Sequence, residues 1–202
     1  MGFKLSLKEG RRGITEEAEV IFEQTGAILK GHFLLTSGLH SPIYLEKFKV
    51  LQYPHYTEIL CRLIARHFKE KGVQLVAGPT TGGILLAYEV ARQLGVRGIF
   101  AERHAEGRVF QRGFNIVAGE RVLVVDDVLT TGGSIYDIIT EVKRKGAEVI
   151  GVGVLVDRSQ EGIDFGVPLF SCYSISIPTY SAEDCPLCAK GVPLTKPGSG
   201  ER

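Results

Sequence analysis

The sequence predicts one α/β domain built on a parallel β-sheet with helices on both faces. Its composition is that of an ordinary globular protein, since 44% of the 202 residues are hydrophobic and 23% are charged. Apolar runs at residues 74–78 and 121–127 each lead through a glycine-containing loop and a helical pattern into a further apolar run, at 96–101 and 148–157. Strands and helices that alternate in this way favour a parallel sheet.

The elements before this sheet are predicted to be mainly helical. Residues 15–30 have a helical pattern, and the segment 31–48 is predicted to be irregular because glycine and proline interrupt it. A second helix is expected to begin at Pro54, a residue suited to the first helical position, and to end before Gly72.

Within the two strand–helix–strand units, helices are predicted at about 84–94 and 134–145. Residues 102–120 separate the units, and a loop of that length is uncommon in a compact domain unless it has a function or is disordered. A last strand is predicted at 168–178, before a tail rich in proline and glycine.

Charge and hydropathy exclude several classes of function. The formal net charge is +1, which gives no sign of a nucleic-acid-binding surface. The longest apolar runs are too short to cross a membrane, and the first residues lack the apolar stretch of a signal peptide. The four cysteines are too few for a disulfide scaffold. We therefore expect a cytoplasmic protein with neither membrane nor nucleic acid as a partner.

The segment VLVVDDVLTTGGS, residues 122–134, combines a buried strand, two acids and a small polar loop before a helix. Ligands of parallel sheets bind at the carboxyl ends of the strands. Free N–H groups at a helix N-terminus attract phosphate, and glycines let the backbone approach it closely. The acids would repel that phosphate, so Asp126 and Asp127 fit neutral hydroxyl groups, such as a ribose diol, or a divalent metal.

Two other phosphate-binding patterns are missing from the chain. Neither G-x-x-x-x-G-K-[ST] nor G-x-G-x-x-G occurs anywhere in the sequence. Their absence disfavours a nucleotide kinase and a dinucleotide-dependent dehydrogenase.

This segment resembles the motif with which type I phosphoribosyltransferases bind 5-phosphoribosyl 1-diphosphate (PRPP). In that family the two acids hold the ribose 2′- and 3′-hydroxyls, and the following loop holds the 5′-phosphate. The resemblance implies catalytic roles for Asp126, Asp127 and Arg103. It implies that PRPP is bound by Arg103, Asp126, Asp127, Val128, Leu129, Thr130, Thr131, Gly132, Gly133 and Ser134.

Three further segments resemble orotate phosphoribosyltransferases in particular. These are GHFLLTSGLHSPIY at 31–44, GPTTGG at 78–83 and DRSQEG at 157–162, and the tail from residue 186 resembles one branch of the family. The resemblance implies that Thr130, Arg158 and Tyr44 bind orotate. Contacts to pyrophosphate are implied for Thr80, Thr81, Gly82, His104, Arg108 and Arg112.

The resemblance also implies a type I phosphoribosyltransferase-like fold, a parallel sheet flanked by helices with a small N- and C-terminal hood. Residues 1–202 would form one domain, with a core at about 51–169 and a hood from about 14–50 and 170–202. The implied reaction transfers the phosphoribosyl group of PRPP to orotate, giving orotidine 5′-monophosphate and pyrophosphate for pyrimidine synthesis. The implied cofactor is Mg²⁺, held mainly by substrate, without dedicated protein ligands. The implied assembly is a homodimer in which loop 102–120 reaches the neighbouring site.

The chain departs from the usual family pattern in its cations. It has no lysine between Lys71 and Lys143, and His104 and Gly82 stand where lysines are usual. We expect Arg108 or Arg112 to supply the missing loop charge. The departure keeps open a PRPP-binding protein without catalysis. Two further hypotheses share the fold: a phosphoribosyltransferase for another base, which the segment SGLHSPIY at 37–44 disfavours, and a regulatory RNA-binding protein, which the near-zero net charge disfavours.

Cys185 and Cys188 form a C-x-x-C, which is a weak zinc signal without a second pair of ligands. We expect a structural or surface role, such as packing against the N-terminal segment, rather than a redox role. His32 and His40 are expected to be hydrogen-bonded loop residues rather than catalytic bases.

Overall fold

The computed structural model describes residues 16–105, 107–159 and 162–197. Thr15, the first residue of the predicted helix, and the last part of the tail lie outside these residues. The helices are α1 (Glu16–Gln24), α2 (Phe48–Leu51), α3 (Pro54–Phe68), α4 (Gly82–Leu94), α5 (Gly133–Arg144) and α6 (Pro186–Ala189). The strands are β1 (Ile28–Leu34), β2 (His40–Leu45), β3 (Leu75–Pro79), β4 (Arg97–His104), β5 (Gly107–Val109), β6 (Arg121–Leu129), β7 (Glu148–Asp157) and β8 (Leu169–Ser174).

The central sheet has the strand order β5-β4-β3-β6-β7-β8. Its neighbouring strands are parallel, except that β5 runs antiparallel to β4. From β3 the chain continues through α4 to β4, and from β6 it continues through α5 to β7, on the opposite side. The strand order therefore switches direction between β3 and β6, which opens a crevice at their carboxyl ends. This architecture confirms the predicted parallel α/β fold.

Alternating side chains of the central strands fill two cores. In β6, Leu123 and Val125 pack with α3 and α4 on one face, whereas Val122 and Val124 pack with α5 on the other. All four side chains are fully buried. A strand covered on both faces is apolar at every position, which is why VLVV immediately precedes the two acids.

The prediction of a helix over 15–30 is wrong beyond Gln24. The Thr25 hydroxyl donates to the carbonyl oxygen of Ile21 at 2.8 Å, and Gly26 takes a left-handed conformation with φ of 60°. These features end α1, because a residue in that conformation commonly follows a helix. Strand β1 starts two residues later.

The predicted irregular segment is instead an antiparallel hairpin of β1 and β2. The pairing is interrupted between Lys30 and Phe33, so the glycine that suggested a break lies at an irregularity of the strand. The tail runs beside this hairpin, since the His40 and Tyr180 backbones exchange hydrogen bonds of 2.9 Å and the Thr195 N–H donates to the His32 carbonyl oxygen. We call β1, β2 and the tail residues 178–196 the hood.

Two other boundaries differ from the predictions. Strand β4 extends to His104 and β5 pairs with it, so part of the predicted loop 102–120 is a β-hairpin. Strand β6 continues through Val128 and Leu129, which pair with β7. The phosphate loop is therefore shorter than predicted and spans residues 130–132. Along the described residues, no helix combines the length and apolar character that a membrane crossing requires.

Candidate active site

The two acids lie together at the carboxyl end of β6, and both are almost fully buried. Asp126 accepts hydrogen bonds from the Asp127 N–H at 2.8 Å and from the Ser134 hydroxyl at 2.7 Å. Burial and the adjacent Asp127 carboxylate raise the pKa of Asp126 to about 6, against the lowering effect of these hydrogen bonds. Such a carboxyl is a hydrogen-bond acceptor at neutral pH and an uncharged donor in mild acid.

Asp127 has a partner that the sequence did not reveal. Lys47, just before α2, places its ammonium 2.6 Å from Asp127 Oδ2. The lysine side chain is about one third exposed, whereas that of Asp127 is 6% exposed. Lys47 therefore brings a positive charge from the hood side of the molecule to the floor of the crevice.

The turn after β3 faces the acids. Thr80 and Thr81 form this turn through a cis peptide bond, and α4 begins at Gly82. A Cβ atom at Gly82 would lie 1.7 Å from Asp127 Oδ2, so only glycine leaves room for the carboxylate. Gly82, which stands where the family usually has a lysine, therefore leaves the space that the Asp127 carboxylate occupies when it pairs with Lys47.

The predicted phosphate loop lies on the other side of the acids. Thr130 and Thr131 are exposed, and Gly132 precedes α5 with φ of 79°. No side chain caps α5, and its first turn contains no acid. The first N–H groups of a helix have no acceptor within the helix, so this end is suited to an anion. Ser134, predicted as a phosphate donor, donates to Asp126 instead, and the side chain of Leu129 is buried in the core.

The predicted orotate-binding residues Tyr44 and Arg158 are close enough for each to affect the other's pKa. Burial, followed by Glu46, raises the pKa of Tyr44, whereas Lys47 and Arg158 oppose this shift. Burial lowers the pKa of Arg158, and Tyr44 opposes that change. Among the described residues, no carboxylate forms an ion pair with Arg158.

The four predicted loop cations lie in three different environments. Arg108 donates to the hydroxyl and carbonyl oxygens of Thr80 at 3.2 and 3.3 Å, which places it at the turn after β3. Arg112 forms a two-pronged ion pair with Glu102. Arg103 and His104 are exposed near the tip of the β4–β5 hairpin. Of these four cations, Arg108 is the one that contacts the predicted pyrophosphate turn within the described residues.

The comparisons with known proteins agree with this geometry. Residues 50–177, more than half of the chain, match the family model described as phosphoribosyl transferase domain. A curated orotate phosphoribosyltransferase from Caldanaerobacter subterraneus subsp. tengcongensis is 55% identical over 184 residues, which are 91% of this chain and 97% of that protein.

The chain belongs to the orotate phosphoribosyltransferase family. This membership confirms the family predicted from the three sequence segments, and with it a phosphoribosyl-transferring enzyme.

Solved structures confirm the phosphoribosyltransferase fold. The crystal structure of orotate phosphoribosyltransferase from Aeropyrum pernix is 30% identical with a TM-score of 0.67, over 78% of this chain and 92% of that one. An adenine phosphoribosyltransferase from Thermoanaerobacter pseudethanolicus has a TM-score of 0.57 at 20% identity, over 65% of this chain and 88% of that one. The fold is thus shared with enzymes for another base, and the sequence identity distinguishes the orotate family.

Proposed function

We propose that this protein transfers the 5-phosphoribosyl group from PRPP to orotate, giving orotidine 5′-monophosphate and pyrophosphate. The observation that carries the proposal is the crevice between β3 and β6. There the buried pair Asp126–Asp127 lies between an uncapped helix N-terminus and a turn that is contacted by a cation. A ribose phosphate needs both hydroxyl acceptors and an anion site, and this crevice supplies them next to each other.

The acids would accept hydrogen bonds from the two ribose hydroxyls. Asp126 is oriented for this role, because the Asp127 N–H and the Ser134 hydroxyl fix its carboxylate. Residues 130–133 would bind the 5′-phosphate through backbone N–H groups and the hydroxyls of Thr130 and Thr131. A ribose held at both ends presents C1 in a fixed direction, which is the main requirement of a displacement at that carbon.

Orotate would lie on the hood side of the same crevice. Arg158 can hold its carboxylate or a ring carbonyl through paired N–H donors, and Tyr44 can cover the ring. Tyr44 belongs to β2, whose pairing with β1 and with the tail fixes its position. Thr130 lies at the start of the phosphate loop, where it could reach both substrates.

Pyrophosphate would leave toward the turn after β3. Arg108 already contacts Thr80 there, and Lys47 and the N-terminus of α4 face the same space. These groups would stabilise the negative charge that grows on the leaving group as the ribose becomes an oxocarbenium ion. Closure of the loop that contains the β4–β5 hairpin would exclude water from that cation.

The residues present fit a magnesium ion that is bound mainly by substrate oxygens. Asp126 is engaged by Ser134 and a backbone N–H, and Asp127 by Lys47, so the protein presents no ready cage of free carboxylates. Pyrophosphate and ribose oxygens would hold Mg²⁺, which keeps few protein ligands in such sites and neutralises charge on the leaving group. We also propose a cytoplasmic homodimer in which Arg103, near the hairpin tip, serves the neighbouring site.

The direct test is the loss of orotate absorbance with PRPP and Mg²⁺, in the wild type and in Asp126→Asn/Asp127→Asn. We expect turnover in the wild type and a loss of at least about a hundredfold in the double variant. Glu148→Gln, which neutralises an exposed acid at the opposite end of the sheet, is the matched control and should retain activity. A folded wild type that binds PRPP without consuming orotate would overturn the proposal.

A further inference from the structure

A second cluster of chemically reactive side chains lies in the hood, apart from the crevice. His32 in β1, His40 at the start of β2, and Cys185 and Cys188 at either end of the short helix α6 bring one ligand atom each to a common point. These four atoms all lie within 4.8 Å of one another. The two histidines and Cys185 are buried, whereas Cys188 is exposed.

The spacing of the four atoms is that of a tetrahedral metal site. His32 Nε2 lies 3.0 Å from His40 Nδ1 and 3.4 Å from Cys185 Sγ. Cys188 Sγ lies 3.3 Å from His40 Nδ1 and 3.8 Å from His32 Nε2. In tetrahedral zinc sites with two sulfur and two nitrogen ligands, neighbouring ligand atoms are about 3.3–3.8 Å apart. The two remaining separations, from Cys185 Sγ to His40 Nδ1 and to Cys188 Sγ, are at most 4.8 Å, so the ligands would have to close by up to about 1 Å around an ion.

The surroundings of His32 orient its ring as they would for a metal ligand. Its Nδ1 lies 2.8 Å from the carbonyl oxygen of Val192, which can only accept, so Nδ1 carries the proton. Nε2 of the neutral ring therefore presents its lone pair to the cluster. A ligand histidine whose other nitrogen donates to a backbone carbonyl is the usual arrangement around zinc.

We propose that His32, His40, Cys185 and Cys188 bind one Zn²⁺ ion, which fastens the C-terminal tail to the β1–β2 hairpin. Two imidazoles and two thiolates form a closed set of soft and borderline ligands, which suits a structural zinc site rather than magnesium. The set leaves no position for water, so the ion has no part in the transfer reaction.

The proposed role follows from where the four ligands lie along the chain. The tail contacts the hairpin by backbone hydrogen bonds at Tyr180, on one side of α6, and at Thr195, on the other. The two cysteines lie between these contacts along the tail. Their coordination to the ion would link the tail to His32 and His40 of the hairpin. Because β2 also carries Tyr44, the ion would stabilise the part of the hood that is proposed to cover orotate.

The first test is metal content and cobalt spectroscopy of the full chain, purified without a metal-affinity tag from zinc-supplemented medium. We expect about one zinc per chain by mass spectrometry. Chelator-treated, reduced protein titrated with Co²⁺ should develop the intense visible bands of tetrahedral cobalt together with thiolate charge-transfer absorption. Removal of the metal should lower Tm and accelerate tryptic cleavage after Lys190.

Variants separate this site from others that bind metal. Cys188→Ser changes the exposed ligand, so it should fold, and it should weaken Co²⁺ binding by about tenfold or more. His55→Asn, an exposed histidine on α3, is the matched control and should bind cobalt like the wild type. Substoichiometric zinc with a silent cobalt titration would overturn the proposal. So would equal binding of Co²⁺ by Cys188→Ser.

Discussion

The buried charge of Asp126 is expected to serve activity at a cost in the stability of the folded protein. The carboxyl is buried beside a second acid, and its pKa lies near 6 rather than at the usual 3.8. We expect Asp126→Asn to raise the free energy of unfolding at pH 7.5, by on the order of 2 kcal/mol, because it removes a charge that burial disfavours. The same variant should lose most of its activity.

Chemical denaturation and the orotate assay measure these two effects on one sample. Glu148→Gln neutralises an exposed acid and should change neither quantity noticeably. A less stable Asp126→Asn would contradict the assigned cause of the pKa shift.

The same carboxyl predicts a pH dependence. Because the pKa of Asp126 is raised in the folded state, the folded protein holds a proton that the unfolded chain has lost between pH 3.8 and about 6. The contribution of this group to stability is therefore largest below that window and falls as pH rises through it. If Asp126 binds the ribose hydroxyls as proposed, the ionised carboxylate is the better acceptor, and we expect kcat/KM for PRPP to fall about tenfold per pH unit below about 6. Asp126→Asn retains any titration of PRPP itself, and an identical profile in that variant would exclude Asp126 as the cause.

Lys47 is the residue that no sequence pattern indicated. It lies outside every recognised motif, and only the fold brings it to Asp127. Lys47→Met would leave a buried acid without its cation and would remove a positive charge from the pyrophosphate side. We expect kcat/KM for PRPP to fall roughly tenfold to a hundredfold. Lys49→Met, two positions along the same segment, is the control, and equal losses in both variants would show that the effect is not specific to the ion pair.

At the scale of the elements, the sequence pattern best predicted the strands that are buried on both faces. The strands β6 and β7 are buried on both faces, so their apolar runs resemble no other element. The hairpin of β1 and β2 has mixed burial, contains Gly31 and Pro42, and depends on the distant tail for part of its pairing. No local pattern contains that information. In the sequence, the four proposed zinc ligands form only one C-x-x-C pair and two separate histidines, because the tail and the hairpin meet only in the fold.

The start of α4 gives a prediction at the scale of an element. A side chain at position 82 would collide with the carboxylate of Asp127, so Gly82→Ala should displace either the helix or the acid. We expect a fall in kcat/KM of about tenfold or more, with a lower Tm, because neither group can move freely in a packed site. Leu85→Ala, at an exposed position of the same helix, should retain activity. An active and stable Gly82→Ala would show that the site is looser than the structure indicates.

At the scale of the whole molecule, the β4–β5 hairpin could contribute Arg103 either to the active site of its own chain or to that of a second subunit. Within one chain, strand β5 of this hairpin packs against α5, and its Arg108 donates to Thr80 in the turn after β3, whereas Arg103 is exposed near the tip. A cation that projects outward can contribute to catalysis if a second subunit places its own crevice beside it. The proposed homodimer would then have two sites, each completed by its partner, as a two-fold axis requires.

Mixing two inactive variants tests this arrangement. In a heterodimer of Arg103→Ala and Asp126→Asn, one site has an intact acid pair and receives an intact Arg103 from the other subunit, whereas the second site lacks both. Random exchange of subunits should therefore restore about a quarter of the wild-type activity, since half of the dimers carry one complete site. Each variant alone, taken through the same exchange procedure, is the control. If the hairpin serves its own chain, every site in the mixture lacks either Arg103 or Asp126, and activity stays at the level of the parents.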